Sequence, residues 1–309
     1  MDDALNWQTD RQSWPLHEAS RFIEAGGLTW HVQVMGKPVG SAPCVLLVHG
    51  TGASTHSWSR LAPLLADHFT IVIPDLPGHA FTSTPVEGQG LSLSGMSSAL
   101  SALMKAMALL PSLVVGHSAG AAVLMRMALD GGIAPKLLIS LNGALLPLQG
   151  WAGQLFSPLA KLVVLNPFTP RLFAWRAADK GAVERVLRGT GSQIDAAGLE
   201  LYRRLFRSPA HIAGTLGMMA RWELEPLKRD MPQLKMPLLL VACGADQAIA
   251  PETAFKVRDL VPGSSVEYLR GLGHLAHEEQ PELFAKIIFE AAAAQHCFGP
   301  GTSTASISN

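Results

Sequence analysis

Ser118, Asp246 and His274 are residues whose types could share one reaction, although they lie far apart in the chain. A serine hydroxyl is a weak nucleophile until a base takes its proton, and a third group has to orient that base. The order serine, acid, histidine is one of the chain orders in which such triads occur. If the fold brings the three side chains together, they predict nucleophilic attack on an acyl carbon.

Ser118 lies in the pentapeptide Gly116-His-Ser-Ala-Gly120. The apolar run Leu113–Val115 precedes it and a helical pattern of small residues follows, which is the strand–turn–helix context of a nucleophile elbow. The flanking glycines allow the strand and the helix to approach closely. The alternative is a chance pentapeptide in a glycine-rich chain, and the flanking elements favour the elbow.

The acid of such a triad is expected just after a late strand. Asp246 follows the apolar run 238–242 and therefore satisfies that expectation. The alternative role for Asp246 is a turn or helix-capping residue, because Pro251 opens a helical pattern five residues later. The preceding strand ends at Asn142, which cannot stabilise a charged imidazole as well as a carboxylate does. We therefore predict Asp246 as the acid.

The base is expected in the loop after the last strand. His274 lies there, in Leu269-Arg-Gly-Leu-Gly-His274, and its two glycines let the loop reach back to the elbow. His277 is the competing candidate, but it falls inside a helical start and is predicted to be structural. His117, beside the candidate nucleophile, is expected to pack rather than to catalyse.

Two backbone N–H groups are candidates for an oxyanion hole. Ala119 follows the nucleophile and supplies the first donor. The second is Thr51, in the loop His49-Gly-Thr-Gly52 that follows a buried apolar run. A phosphate-binding loop is the alternative for this glycine cluster, but no lysine follows it.

Composition narrows the function classes. The 309 residues carry a formal net charge of +0, and 48% are hydrophobic, with a mean hydropathy of +0.24. The neutral charge argues against a nucleic-acid partner. The three cysteines are too few and too scattered for a disulfide framework or a zinc site. No metal and no cofactor is predicted. The apolar character suits an apolar small-molecule substrate.

The first residues, Met-Asp-Asp-Ala-Leu-Asn-Trp, lack the basic and apolar regions of a signal peptide. The sequence also lacks an uninterrupted apolar run of about 18 residues, so no transmembrane helix is predicted. We therefore expect a cytoplasmic protein that makes at most peripheral contact with a membrane.

Apolar runs and helical patterns alternate along most of the chain, which predicts an α/β fold. Such alternation is typical of a mostly parallel central sheet with helices on both faces. The predicted strands are residues 21–24, 29–35, 43–49, 69–75, 113–115, 136–141, 237–243 and 266–269. Helices are predicted at 57–66, 96–107, 119–129, 252–260 and after Pro281.

The alternation stops after residue 144 and resumes near residue 233. The intervening part has helical patterns and several aromatic residues, and an insertion at the carboxyl edge of a strand is expected to roof a ligand site. An ordinary helical domain without a pocket is the alternative. The predicted organisation is an N-terminal arm (1–19), a core (20–144 and 233–296), a helical cap (145–232) and a disordered tail (297–309).

With its motifs in this order, the sequence resembles the α/β-hydrolases over roughly residues 21–295. Asp75-Leu-Pro-Gly-His79 matches the turn that follows a strand in that superfamily, with Ala80 where glycine is usual. The resemblance implies the α/β-hydrolase fold and a Ser-His-Asp triad. The serine at position 118 argues against epoxide hydrolases and haloalkane dehalogenases, whose elbow carries aspartate.

Four stretches carry a closer resemblance, namely residues 19–36, 49–58, 116–122 and 140–147. They resemble the magnesium-chelatase accessory proteins of bacteriochlorophyll biosynthesis in phototrophic bacteria. The resemblance implies a role near magnesium insertion into a porphyrin, a tetrapyrrole as one candidate substrate, and magnesium chelatase as a candidate partner. The reaction itself stays unnamed.

Several functional alternatives remain open at this stage. The first interpretation is a serine hydrolase that acts on an ester or related acyl bond. The others are a non-catalytic porphyrin-binding accessory protein with a vestigial triad and a general carboxylesterase. No residue favours a C–C bond hydrolase or a cofactor-free peroxidase. The apolar stretch 158–176, with Lys161, Arg171 and Arg176, could wall a pocket, lie on a membrane surface or simply pack the cap.

Overall fold

The computed structural model describes residues 5–86, 88–147, 166, 168–177 and 179–298. Within these residues, eight strands form one sheet in the order β1-β2-β4-β3-β5-β6-β7-β8. The strands are β1 (Ser20–Ala25), β2 (Leu28–Gly36), β3 (Cys44–Val48), β4 (Thr70–Pro74), β5 (Leu113–His117), β6 (Leu137–Leu141), β7 (Leu238–Cys243) and β8 (Ser264–Leu269). The first two strands are antiparallel to their neighbours and the other six are mutually parallel. The α/β-hydrolase fold that the sequence predicts is confirmed.

Helices cover both faces of the sheet, which explains why its central strands are apolar throughout. Along β3, Leu46 and Val48 join the core on one face, whereas Val45 and Leu47 join the core on the other. Side chains alternate between the faces of a strand, so a strand buried on both sides shows no polar alternation. The helices are α1 (Trp7–Asp10), α2 (Ala62–Leu65), α3 (Leu93–Ala106), α4 (Ala119–Leu129), α5 (Thr169–Arg176), α6 (Lys180–Arg188), α7 (Ala196–Arg207), α8 (Pro209–Ala220), α9 (Glu225–Asp230), α10 (Glu252–Leu260), α11 (Ala276–Glu279) and α12 (Pro281–Ala294).

The predicted helix bounds agree at both ends for α4 and α10, but the predicted helix 57–66 is wrong. The chain forms a 3-10 turn at Thr55–Trp58 and then the short α2. Pro63 has no N–H to donate to the preceding turn, so a continuous helix through it would lose a hydrogen bond. The 3-10 turn is capped by the Ser54 side chain, which accepts a hydrogen bond from the His56 N–H.

The described residues between β6 and β7 form helices α5 to α9 and no strand. Helix α8 packs against the sheet domain, where Gly214 contacts the backbone of Gly78. Helices α5 and α7 pack against α8 in turn. The predicted division into core and cap at residues 144 and 233 stays a prediction. Residues 148–165, 167 and 178 of the predicted cap lie outside the described part.

Both predicted terminal segments contain residues that pack on the rest of the molecule. In the predicted arm, Trp14 is buried and donates a hydrogen bond from Nε1 to Thr55 Oγ1 at 3.2 Å. The predicted start of the tail at Cys297 needs correction, because Cys297 is buried and the ring of Phe298 contacts that of Phe69. Residues 299–309 lie outside the described part. Across the described ranges, no helix is both long and apolar enough to cross a bilayer.

Candidate active site

The turn between β5 and α4 holds Ser118 in a strained backbone conformation, with φ 51° and ψ −118°. A positive φ is uncommon for a residue with a side chain and persists only where the surroundings enforce it. Here the Ser118 N–H donates to the Leu141 carbonyl at 3.0 Å. The Ser118 carbonyl accepts from Ala121 and Ala144, at 3.2 and 3.0 Å. The serine is therefore fixed at the carboxyl edge of the sheet.

Close backbone contacts explain the glycines that flank Ser118. A Cβ on Gly116 would lie 2.5 Å from the Ala121 Cα, and one on Gly120 would lie 2.5 Å from the His49 carbonyl oxygen. Neither distance is compatible with a side chain. A Cβ on Gly50 would lie 2.9 Å from the Ser118 Cβ. The loop after β3 therefore packs directly against the elbow.

Asp246 and His274 form a close pair on the loops that follow β7 and β8. The Asp246 Oδ2 lies 2.7 Å from the His274 Nδ1, and both side chains are buried. The other carboxylate oxygen accepts hydrogen bonds from the backbone N–H groups of Ala248 and Ile249, at 2.7 and 2.8 Å. These bonds fix the orientation of the carboxylate. With Nδ1 occupied, Nε2 is the nitrogen of His274 that can exchange a proton with another group.

The backbone of His274 is tied to the elbow. Its carbonyl oxygen accepts from His117 Nε2 at 2.9 Å and from Asn142 Nδ2 at 2.9 Å. Asn142 Oδ1 in turn accepts from the Cys243 N–H, at 2.9 Å. The sequence offered Asn142 only as a weaker candidate acid and gave no signal for this bridging role. His117 packs as expected, and burial holds its pKa well below the usual range.

His277 lies in a different environment from His274. It is buried on α11, and its Nε2 lies 2.8 Å from Ser57 Oγ. Burial lowers the pKa of His277 to about 3, so the ring is neutral at ordinary pH. The contacts of the two residues favour His274 over His277 as a partner for Asp246.

The two candidate oxyanion donors lie next to the elbow. Ala119 is the first residue of α4, where a backbone N–H has no acceptor within the helix. Thr51 follows Gly50, which contacts Ser118, and the Thr51 hydroxyl lies 3.7 Å from the Met218 sulfur on α8. The helix start also carries partial positive charge. This environment can stabilise negative charge that develops beside Ser118.

The described ranges contain no cluster of metal-ligating side chains and no exposed cysteine. No group of three or more His, Cys, Asp or Glu side chains there could hold a metal ion. Cys44 and Cys243 are buried, and burial raises the pKa of each thiol to about 12. Thiols of such high pKa do not react as thiolates at neutral pH.

A buried carboxyl group, that of Glu278, contacts helix α7 in the predicted cap and was not indicated by the sequence. Its Oε1 accepts hydrogen bonds from Ser57 Oγ at 2.5 Å and from Tyr202 Oη at 2.7 Å. Burial raises the pKa of Glu278 to about 7. Tyr202 belongs to α7, so this contact joins the cap to the helix that follows His274. No local pattern distinguishes Glu278 from its neighbour Glu279.

A second contact joins helix α8 of the predicted cap to the loops that hold Gly52 and Ala80. His211 on α8 approaches the Gly52 carbonyl through Nε2 at 3.1 Å and accepts from the Ala80 N–H through Nδ1 at 3.0 Å. Ala80 itself has a φ of 42°. The residue that replaces the usual glycine after the turn 75–79 therefore keeps a left-handed conformation, supported by a cap histidine.

Comparisons with known proteins agree with this fold. A sequence profile of the alpha/beta hydrolase family matches residues 45–287. The chain is 34% identical over 266 residues to the magnesium-chelatase 30 kDa subunit of Rhodobacter capsulatus, covering 86% of this chain and 92% of that protein. It is 27% identical to pyrrolizixenacetamide deacetylase of Xenorhabdus hominickii, covering 81% and 90%. A serine hydrolase involved in carbazole degradation has the same fold, with a TM-score of 0.73, 21% identity and coverage of 89% and 98%.

Proposed function

Because the chain belongs to the alpha/beta hydrolase family, we propose that it is a serine hydrolase that cleaves an ester or a related acyl bond. The observation that carries this proposal is the 2.7 Å contact between Asp246 and His274, whose carbonyl oxygen accepts a hydrogen bond from His117 in the strained elbow of Ser118. The carboxylate orients the imidazole, and the elbow presents the hydroxyl at the carboxyl edge of the sheet.

In the proposed reaction, His274 Nε2 takes the proton of Ser118 Oγ as the oxygen attacks the carbonyl carbon. The N–H groups of Ala119 and Thr51 stabilise the oxyanion, and each such donor contributes about 3 kcal/mol. The carboxylate of Asp246 stabilises the imidazolium, which then protonates the leaving group. A water molecule deprotonated by His274 then attacks the acyl-enzyme, which releases the carboxylic acid product and restores the Ser118 hydroxyl.

A serine-reactive fluorophosphonate probe and a chromogenic ester test this proposal. We expect the wild-type protein to be labelled and to hydrolyse the ester, and Ser118→Ala to lose both properties. Ser94→Ala, which removes an exposed hydroxyl on α3, is the matched control and should behave as wild type. Labelling of a folded Ser118→Ala protein at the wild-type rate would refute the assignment of the nucleophile.

The proposed biological setting is bacteriochlorophyll biosynthesis, and hence photosynthesis. Its support is the similarity to a protein named as a magnesium-chelatase subunit. In that setting the apolar substrate is a tetrapyrrole or its esterified side chain, and magnesium chelatase is the protein partner. Titration with protoporphyrin and with its magnesium complex, followed by quenching of tryptophan fluorescence, tests tetrapyrrole binding. Absence of quenching by either compound would contradict a tetrapyrrole ligand.

A non-catalytic accessory protein that binds porphyrin is the second candidate function. It is favoured by the same similarity, because the related protein is named for its complex and not for a reaction. This candidate predicts porphyrin binding without any labelling of Ser118. A general carboxylesterase, by contrast, would hydrolyse short esters and bind no porphyrin. The probe and the titration together therefore distinguish the three functions.

We also propose that the protein works against an anionic membrane surface. The support comes from an aromatic patch on the cap, composed of Phe168, Leu172, Phe173 and Trp175, whose side chains are 72%, 58%, 50% and 70% exposed. Helix α5 packs inward through its small residues Pro170 and Ala174 instead. The exposures argue against simple packing for this part of the stretch 158–176. Residues 158–165 and 167 lie outside the described part.

The positive charge around the aromatic patch also supports binding to an anionic membrane surface. Arg171 and Arg176 are exposed beside the aromatic patch. Residues 145–232 hold twelve Lys and Arg against seven Asp and Glu, whereas the rest of the chain holds twelve against seventeen. The cap thus has a net charge of +5 in a chain whose total is zero. Aromatic side chains between basic ones suit the interface of an anionic bilayer, where each basic residue contributes about 1 kcal/mol.

Flotation with vesicles tests the membrane proposal. We expect binding to vesicles that contain phosphatidylglycerol, weaker binding at high salt, and little binding to pure phosphatidylcholine. Trp175→Ser and Arg171→Glu should each weaken binding. Leu110→Ser is the matched control, because Leu110 is 88% exposed but lies on the sheet domain. Failure to bind anionic vesicles, or equal weakening by Leu110→Ser, would contradict the proposal. The cytoplasmic location itself stays a prediction.

A further inference from the structure

Three residues of the cap touch both loops of the Asp246–His274 pair. They are Thr190, Gly191 and Ser192, which lie between α6 and α7 and are called the cap clamp here. The acid loop is residues 244–249, after β7, and the base loop is residues 270–275, after β8. The clamp is therefore separated from both loops by more than fifty residues of sequence.

Hydrogen bonds join the clamp to each loop. The Thr190 carbonyl accepts from the Gln247 N–H at 3.1 Å and from the His274 N–H at 3.3 Å. One oxygen atom thus bridges the residue after the proposed acid and the proposed base itself. In addition, Ser192 Oγ accepts from the Leu275 N–H at 2.8 Å.

The backbone of the clamp also packs closely against the acid loop and the base loop, in addition to these hydrogen bonds. Gly191 has a φ of +82°, and a Cβ on it would overlap the Ala245 carbonyl oxygen. A Cβ on Gly273 would lie 2.6 Å from the Ser192 nitrogen. Only hydrogen atoms fit at these two positions. The clamp is therefore wedged between the acid loop and the base loop.

We propose that the cap clamp is a positioning element that holds Asp246 and His274 at their working separation. The proposal rests on the proposed function and adds that the cap acts on the acid–base pair as well as roofing the site. If the clamp moved away, Gln247 and His274 would each lose the acceptor of a backbone N–H. The two loops would then be joined only through the pair itself and through their own contacts.

Gly191→Ala tests the clamp, with Gly131→Ala as the matched control. Gly131 also has a positive φ, +75°, but nothing lies within 4 Å of a Cβ placed there. Both variants add the same backbone strain, and only Gly191→Ala pushes on the acid loop. For ester hydrolysis we expect Gly191→Ala to lower kcat by about tenfold or more with little change in KM, because small misplacements of reacting groups are costly. Gly131→Ala should keep the wild-type kcat.

Hydrogen–deuterium exchange supplies a readout that does not depend on activity. In Gly191→Ala, the acid and base loops should exchange faster than in the wild type, while the elbow around Ser118 stays unchanged. Unchanged exchange and unchanged kcat in a folded Gly191→Ala protein would overturn the proposal, and so would a rise in KM alone. If the wild-type protein hydrolyses no ester, the proposed function fails, and the exchange result alone decides whether the clamp exists.

A milder pair of variants covers the case in which Gly191→Ala does not fold. Ser192→Ala removes the acceptor of the Leu275 N–H. Its control is Ser140→Ala, because Ser140 is also buried and its hydroxyl has no hydrogen-bond partner in the described ranges. We expect faster exchange of the base loop and a lower kcat for Ser192→Ala only. Equal behaviour of the two variants would count against the clamp.

Discussion

The elbow and the cap clamp solve the same problem, the positioning of a reactive side chain, in different ways. The hydrogen bonds that hold Ser118 come from Leu141, Ala121 and Ala144, which all lie close to the sheet edge. The hydrogen bonds of the clamp come from a connection between two cap helices. The proposed nucleophile is thus held by the core of the fold, whereas the proposed acid–base pair also depends on the cap.

The predicted cap also contacts the sheet domain at two other points near the proposed active site. Tyr202 binds Glu278, four residues after His274, and His211 contacts the Gly52 carbonyl, next to Thr51. A change in the cap is therefore expected to act on the base and the oxyanion loop before it acts on the elbow. The expectations below separate the two regions, from the largest effect to the smallest.

The largest effect is expected from Ser118→Ala. Loss of the nucleophile should lower kcat for any ester substrate by roughly 10⁴-fold or more, because triad members act as a unit. The cap should be unaffected, so the melting temperature and the exchange rates of the clamp should match the wild type. Steady-state kinetics and calorimetry measure both quantities. Near-wild-type turnover by this variant would show that Ser118 in the elbow is not the nucleophile.

The next largest losses of kcat are expected from changes to His274 and Asp246. His274→Ala is expected to cost nearly as much as Ser118→Ala, and Asp246→Asn somewhat less, because the carboxylate orients the base and does not itself react. His277→Ala serves as the control for loss of a histidine and should change kcat little. If His277→Ala proves inactive while His274→Ala remains active, the base has been assigned to the wrong histidine.

Glu278 should make the cap contact sensitive to pH. Its pKa is raised to about 7 from an ordinary 4.5, so the folded state binds the proton more tightly than the unfolded state. The free energy of unfolding should therefore fall as the pH rises from about 4.5 to about 7, by roughly 3 kcal/mol at most.

Urea unfolding at a series of pH values measures the effect of Glu278. Glu278→Gln keeps an oxygen for Ser57 and Tyr202 but cannot ionise, so it should flatten this part of the pH dependence. Glu282→Gln, at an exposed site on α12, is the control and should keep it. An unaltered pH dependence in Glu278→Gln would show that ionisation of this carboxyl does not weaken the contact.

The smallest effect is expected at Ala80. This residue has a positive φ and donates its N–H to His211, but it contacts no proposed reactive group. Ala80→Gly relieves the positive φ but increases the entropy of the unfolded chain, and the two terms oppose each other. The free energy of unfolding should therefore change by less than about 1 kcal/mol, most plainly seen in chemical denaturation. A large loss would mean that the Ala80 side chain, and not only its N–H bond to His211, supports the cap.

The sequence by itself determined the sheet and the elbow. Continuous apolar runs predict strands buried on both faces, and the structure has β3 to β7 close to the predicted places. Glycines around Ser118 predict a tight turn, because only they allow the observed backbone approach. The elbow motif nominated Ser118, and positions just after late predicted strands, in the expected chain order, nominated Asp246 and His274. The strands and the elbow are local features, so a short window of residues contains their cause.

Only the tertiary structure decided what holds the acid–base pair. Thr190, Gly191 and Ser192 have the composition of an ordinary connection, and no pattern within the cap points to loops more than fifty residues away. The same is true of Glu278, whose pKa is raised by burial in the folded protein. Hydrogen bonds and packing between distant segments depend on how the elements dock. Their physical cause therefore lies in the folded arrangement and not in any one stretch of sequence.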